Sequence, residues 1–346
     1  MNSGASSHSG ADESEISLRS VAVVVVNYNG ALWIRPCLDS LLADAARAPH
    51  SVQVVVVDND STDESPEILR EFGDRLRVEA LGANTGFGSG NNRGVAVSSS
   101  DLVLLLNTDV KVPSGLISTL VKEMEDRNLD AVAAREVPYE GGKPDSVRIT
   151  IDPLGFPAFL TNHVSRPSFY LPAACVMMTR RMYETLGGFD ENFFMYVEDV
   201  DLFWRARLFG FRFDFARDAV IQHAVHGSSG GVGISLRRFL WRNTNQPMML
   251  VKNYRAQTLV WVAPLYLLSQ ILEMVGLLLM RQPRAAWTYP QGLYHFVRLL
   301  PKIRQERRRV QSARVVPDRE ILSLMYPGLA KLRSLQVYRT HRSVAE

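Results

Sequence analysis

Two valine-rich runs, VAVVVV at residues 21–26 and VQVVVV at 52–57, constrain this chain more than any other feature of its 346 residues. β-Branched residues with no polar alternation suit strands buried on both faces, and such strands belong to parallel sheets covered by helices. WIRPCLDSLLADAARA, between the runs, reads as helix. TDESPEILREF reads as a second helix with acids in its first turn, LRVEAL as a short strand, and DLVLLLNTD as a fourth strand. Strands alternating with helices predict an α/β fold with a mainly parallel, Rossmann-like sheet and right-handed crossovers.

The strands end in a telling way. VVVVDNDS stops on Asp58, and LLLNTD stops on Asn107, Thr108 and Asp109. Open parallel sheets bind ligands beyond the carboxyl ends of their strands, so Asp58 and Asp109 can share one cleft. Further on, Glu198, Asp199 and Asp201 open an amphipathic helix in VEDVDLFWRARLFG, where Val200, Phe203, Trp204 and Leu208 share a face and Gly210 is the stop signal. His223 and His226 follow, just before GSSGGVG. Each feature has a plainer alternative. Asp58 and Asp109 suit turns or caps, the acids suit a helix N-terminus, and His223 suits a satisfied core position. The loop GANTGFGSGNNRG is not a dinucleotide fingerprint, because the sixth position from Gly86 is Asn91 and from Gly88 is Arg93. Its glycines still allow close backbone approach to a ligand. No Walker A lysine motif is present.

Residues 112–169 carry a looser pattern, with YEGGKPD a loop, and RFDFARDAVIQHAV reads as further strand. Residues 258–280 form an apolar stretch long enough to cross a bilayer, interrupted by Pro264, Gln270 and Glu273. A spanning helix, an in-plane or re-entrant helix and a core helix all fit, and Glu273 weighs against spanning. From residue 281 onward there are 14 Lys+Arg against 4 Asp+Glu, although the whole chain is nearly balanced at 39 against 36. Such a basic tail suits an anionic partner or a solvated helical face. The Ser-rich residues 1–20 lack the apolar core of a signal peptide and read as a disordered tail. Two cysteines, Cys37 and Cys175, suggest a reducing compartment rather than a disulfide framework.

The motifs VVVVNYNG, VVVVDNDSTDES, NTGFGSGNNRG, LLLNTDV, GGFDENFFMYVEDVDLFWRARLFGFR and IQHAVHGSS, in this order, resemble the family 2 inverting glycosyltransferases, and within them the rhamnosyltransferase-like branch that builds cell-envelope polysaccharides. The resemblance implies a GT-A fold over residues 21–235, while the apolar stretch and basic tail point to a helical, basic, membrane-associating region at 236–346. It implies that Asn27, Tyr28 and Asp58 bind the nucleoside and that Asn84, Gly86, Phe87 and Asn91 shape the donor site. Asn107-Thr108-Asp109 matches the DxD motif with Asn in first place, so Asp109 becomes the main carboxylate on Mg²⁺ or Mn²⁺. His223 completes the metal site, with His226 as its neighbour and competitor. Glu198-Asp199 matches the acidic pair, with Asp199 the base. Two departures stand out. Ala173-Ala174 replaces the usual Gly-Ala, and RRFLWRN resembles the aromatic-x-Arg-Asn feature of single-addition enzymes rather than the motif of processive synthases.

The expected reaction moves a sugar from a UDP- or dTDP-linked donor to a glycan or polyprenyl-linked acceptor. Its expected place is the cytoplasmic side of the cell membrane, against an anionic lipid surface, with no nucleic acid partner. Hard divalent cations take one or two carboxylates plus substrate phosphates, which is why a lone Asp109 can suffice. Two other classes compete. A glycoside hydrolase uses two carboxylates but does not explain the Asn-rich loop, and would release free sugar without a nucleotide donor. A non-catalytic nucleotide-sugar-binding regulator has no need of Asp109, Glu198 and Asp199 together.

Overall fold

The computed structural model describes residues 19–142, 148–160, 166–224 and 236–331. Most of the expected disordered tail at 1–20 lies outside them, as do His226 and part of YEGGKPD.

The chain runs β1 (Ser20–Asn27), α1 (Ala31–Ala45), β2 (Ser51–Asp58), α2 (Ser65–Glu71), β3 (Arg77–Ala80), α3 (Phe87–Ala96), β4 (Leu102–Asn107), β5 (Val110–Lys111), α4 (Leu116–Asp126), β6 (Ala131–Pro138), β7 (Arg148–Ile151) and β8 (Pro157–Leu160). It continues with β9 (Cys175–Thr179), α5 (Arg180–Leu186), α6 (Glu198–Leu208), β10 (Phe213–His223), α7 (Leu236–Asn253), α8 (Ala256–Leu279), α9 (Pro283–Ala313) and α10 (Asp318–Ser323). Eight strands form one sheet in the order β3-β2-β1-β4-β9-β6-β10-β5, while β7 and β8 pair separately. β1 to β4 are mutually parallel, as the alternation predicts, and β9 runs antiparallel between β4 and β6. Successive side chains of a strand point to opposite faces. Val21, Val23 and Val25 therefore join one core layer with α1 and α4, while Val24 joins the other.

Register matters most for function. Asn27 of β1 pairs with Asp58 of β2, and Val26 pairs with Asn107 of β4. Three parallel strands thus end level, and their polar terminal residues meet at one edge of the sheet.

Two expectations need correcting. Residues 112–169 are not loose: they supply α4, β6 and two short strands. Nor is α6 a one-faced amphipathic helix. Val200, Phe203, Trp204 and Leu208 are buried, but so are Leu202, Ala206, Asp201 and Arg205. Its charges are tolerated because they pair internally. Arg205 Nε donates to Asp201 at 2.8 Å, Lys252 Nζ donates to Asp201 at 2.9 Å, and Asn253 Nδ2 takes the other Asp201 oxygen at 2.9 Å. Removing one member of such a cluster costs about 3–5 kcal/mol, because a charge is left buried alone.

Helices α7 to α10 share the core of the α/β body. Met248, Met249, Tyr254, Val262, Ile303, Val310 and Ile321 belong to the same apolar cluster as Phe203 and Trp204. The backbone joins as well, with Val315 N and Val316 N donating to Leu208 O and Tyr326 N to Ile151 O.

Candidate active site

The candidate site is built on the level edge of β1, β2 and β4. Asn27 Nδ2 donates to Asp58 Oδ1 at 3.0 Å and to Ser61 Oγ at 3.0 Å, which fixes the aspartate's orientation. Asn59 carries the arrangement outward. Its amide nitrogen donates to Asn84 Oδ1 at 3.2 Å and to Gly86 O at 3.1 Å, and its Oδ1 accepts from Thr85 N at 2.9 Å. Gly86 has φ +90°, and a Cβ there would lie 2.3 Å from Phe194 O, so only glycine fits. Phe87 N donates to that same carbonyl, which docks the Asn-rich loop onto the segment leading to α6. Tyr28 stands at the rim, 46 % exposed.

Three expected donor residues are placed less directly. Asn91 is buried within α3, and its Nδ2 donates back to Phe87 O at 2.9 Å. Phe87 packs edge-on to Phe189 with centroids 5.8 Å apart. Asn107 is half-buried at the end of β4, with its backbone N donating to Ala174 O.

At the other end of the edge, Asp109 and His223 meet. His223 closes β10, where it pairs with Val110 of β5, and Ala224 N donates to Asp109 O at 3.1 Å. This local pairing draws together residues 114 positions apart: Asp109 Oδ1 lies 3.1 Å from His223 Nε2. The other ring nitrogen, Nδ1, donates to Glu136 Oε2 at 2.7 Å. Burial alone would lower the histidine pKa, but hydrogen bonds to Asp109 and Glu136 and their charges carry it up to about 9. Without a metal the ring is therefore a cation held between two carboxylates at neutral pH.

Glu198 and Asp199 begin α6 after an unusual approach. Tyr196 and Val197 both adopt positive φ, at 68° and 74°. For a β-branched residue such as valine this is a true conformational outlier, and outliers of this kind persist only where the surroundings enforce them. Here Asn245 of α7 donates its amide hydrogens to Met195 O and Tyr196 O, both at 2.9 Å. Trp241 packs against Phe194 and Tyr196, with centroids 5.1 and 6.1 Å away. The two acids are raised. Burial and then the Asp199 charge push Glu198 up to about 8. Burial, with a contribution from Glu136, pushes Asp199 up to about 6. Glu136 thus acts electrostatically on both His223 and Asp199. Asp201, by contrast, belongs to the ion cluster inside the protein and faces no cleft.

The donor set suits a hard divalent cation. Two adjacent ligands of an octahedral ion with bonds of ~2.1 Å sit about 3 Å apart, which matches the Asp109–His223 spacing. A carboxylate on the second ring nitrogen is the usual support of a metal-bound histidine. Among the described residues no group of three or more His, Cys, Asp or Glu side chains is placed to hold a metal ion by itself. A site of this kind relies on substrate phosphates for its remaining ligands. Glu136, Asn245 and Trp241 escape sequence reasoning. The register of β6 on β10 pairs Glu136 with Ile221, which puts its side chain on the same face as His223. That pairing is invisible in one dimension.

Comparison with known proteins gives a consistent answer. The family model described as Glycosyl transferase family 2 matches residues 22–187. A low-salt glycan biosynthesis hexosyltransferase, Agl10, from Haloferax volcanii is 28% identical over 55% of this chain, which spans 62% of that relative. An N-acetylglucosaminyl-diphospho-decaprenol L-rhamnosyltransferase from Mycobacterium tuberculosis is 27% identical over 60% of this chain and 76% of its own length. Among solved structures, Staphylococcus aureus TarS 1-349 with UDP-GlcNAc superposes with a TM-score of 0.54 at 18% identity, covering 88% of this chain and 90% of that one. The Pyrobaculum calidifontis mannosyltransferase PcManGT, with GDP-Man and Mn²⁺, gives 0.53 at 17% identity, covering 95% and 83%. At these identities the structural likeness speaks to the fold alone, which is the α/β architecture shared by GT-A enzymes.

Proposed function

We propose that this chain, which belongs to glycosyl transferase family 2 through its domain at residues 22–187, transfers a sugar from a nucleoside-diphosphate donor to a hydroxyl of a glycan or lipid-linked acceptor, inverting the anomeric centre. One observation carries the reading: the Asp109–His223 pair and the raised Asp199 are linked through Glu136 at the edge where three parallel strands end. UDP- and dTDP-sugars are the donors to expect, and cell-envelope glycan or glycolipid synthesis the setting. The names of the archaeal and mycobacterial relatives support both a glycan product and a polyprenyl diphosphate acceptor.

Asn27, Tyr28, Asp58, Asn84 and the Gly86–Phe87 turn would cradle the nucleoside, with Asn91 and Asn107 behind and beside it. Asp109 and His223 would hold Mg²⁺ or Mn²⁺. When bound, that ion neutralises negative charge growing on the departing diphosphate. Asp199 takes the proton from the acceptor hydroxyl as its oxygen attacks the anomeric carbon opposite the leaving group. A base of pKa about 6 is charged at neutral pH yet basic enough to help. Glu198, raised to about 8, stays protonated there, so the buried pair carries one negative charge rather than two. Glu136 holds the His223 ring so that Nε2 faces Asp109.

Two measurements follow. Thermal shifts with a panel of UDP- and dTDP-sugars, with and without Mn²⁺, test the function. A true donor at about 100 times its Kd stabilises by about 2.7 kcal/mol, and here only when the metal is present. Transfer to a simple acceptor, with the product anomer read by NMR, completes the test. Free sugar released from a simple glycoside, with no response to any nucleotide sugar, would overturn the reading. Separately, Glu136→Gln is expected to weaken donor-free Mn²⁺ binding by about 10–100-fold in titration calorimetry, with little change in Tm.

A further inference from the structure

α8 is a 24-residue helix whose most apolar 18-residue stretch has a mean hydropathy of 1.8 and is only 11% buried. At 1.5 Å per residue it is about 36 Å long, enough to cross a bilayer. Its neighbours forbid that path. At its start, Arg255 N and Thr258 Oγ1 both donate to Asp318 of α10. Midway, Val262 and Tyr266 enter the protein core, and Tyr266 stacks on Phe156 with centroids 6.2 Å apart. Near its end, Glu273 accepts from Tyr289 Oη of α9 at 2.5 Å. α9 then runs back beside α7. Asn243 donates to Thr288 Oγ1 at 3.1 Å, Gly292 abuts Asn243, and Gln311 donates to the carbonyls of Lys252 and Asn253. α7 in turn carries Asn245, which holds the approach to Glu198 and Asp199. Through Tyr266, α8 is thus held against the body, and beyond it α8 lies mainly against α9. The stretch past Tyr266 is about 20 Å long, too short to cross the ~30 Å hydrocarbon core on its own.

Yet the outer side of this helix layer is apolar. Val260, Leu268, Leu272, Val275 and Leu279 of α8 are exposed, and so is Trp287 of α9, beside the start of α7. Tyr294 and Val297 extend the apolar side along α9. Exposed arginines rim it at 281, 284 and 298. The one acid in α8, Glu273, turns inward to Tyr289 and Lys331 and so adds no charge to that surface. Exposed apolar side chains with Trp and Tyr beside Arg suit contact with a membrane whose surface is anionic.

We propose that the outer face of α8 and α9 lies in the plane of an anionic bilayer surface and does not cross it. This deepens the reading of a lipid-linked acceptor, since it holds α7, which braces the approach to Glu198 and Asp199, at the surface from which such an acceptor projects. Transfer to a water-soluble acceptor does not depend on it, so the two ideas fail separately.

The full chain is tested by flotation with sealed vesicles of phosphatidylcholine alone or mixed with phosphatidylglycerol. Binding to the mixed vesicles is expected. The double change Arg284→Gln and Arg298→Gln should lower it on the order of twentyfold. Leu272→Glu should abolish it while leaving the donor-dependent thermal shift intact; position 272 is 63% exposed, so the fold tolerates the change. Topology is read with Arg281→Cys and a membrane-impermeant maleimide, against the buried Cys37 and Cys175 as a low background. Labelling from outside on intact vesicles supports the in-plane arrangement. Labelling only after detergent would show a crossing and overturn it. So would a chain that ignores anionic vesicles, or one that forms a dimer dissociated by Leu272→Glu.

Discussion

Asp199→Asn is expected to lower kcat about 10²–10⁴-fold while Mn²⁺ and donor binding stay unchanged. The substitution keeps the shape of the side chain, and its oxygen can still accept from Val200 N, which donates to Asp199 Oδ1 at 2.7 Å in the native protein. What it removes is the capacity to take a proton. The pH profile separates this from a structural effect. Burial raises Asp199 to about 6, so the native base is lost by protonation as pH falls through that value. The native kcat is expected to fall tenfold per unit below about pH 6 and to level off above it. The variant's residual rate is expected to lack that limb. Near-native turnover in the variant would exclude Asp199 and direct attention to Glu198.

Asp109→Asn is expected to be comparably severe through a different route. Asp109 is only 3% exposed and is the carboxylate nearest His223 Nε2. Without its charge the site loses its anchor for the cation, and with it several kcal/mol of transition-state stabilisation. That corresponds to about a thousandfold or more in kcat/KM. Calorimetry should show weakened Mn²⁺ binding before any donor is added. Protons provide a second readout. The metal-free His223 is protonated up to about pH 9, so Mn²⁺ must displace a proton to reach Nε2. In the native protein Mn²⁺ affinity should therefore rise with pH until about 9, with proton release detected from buffers of different ionisation enthalpy. Mn²⁺ affinity unaltered by Asp109→Asn would remove Asp109 from the site.

The sequence shows those parts of the site that sit where elements end. Asp58 and Asp109 interrupt apolar runs, and a strand that stops on a carboxylate announces itself. Glu198 and Asp199 open a helix for the same reason. Glu136 makes no such announcement. It lies within AREVP on β6, and only the register of β6 against β10 sets it beside His223. The error over α6 has a related origin. Apolar periodicity assumes that charge means solvent, whereas Asp201 and Arg205 are buried because each satisfies the other and Lys252 completes the group. The apolar stretch at 258–280 allowed three readings because hydropathy measures composition, not what lies alongside. Its contacts with α9, made far along the chain, are what support the in-plane reading proposed above.

The strained turn at Tyr196–Val197 has a consequence for how the chain is divided. Asn245 and Trp241, which brace that turn, belong to the same helix layer that carries the apolar outer face. The proposed membrane face and the candidate acids therefore share a beam. A chain ended before Leu236 would be expected to lose turnover even with a freely diffusing acceptor, because the backbone beneath Glu198 and Asp199 would relax toward ordinary angles. Trimming the greasy helices to gain solubility would thus unseat the acids it meant to preserve.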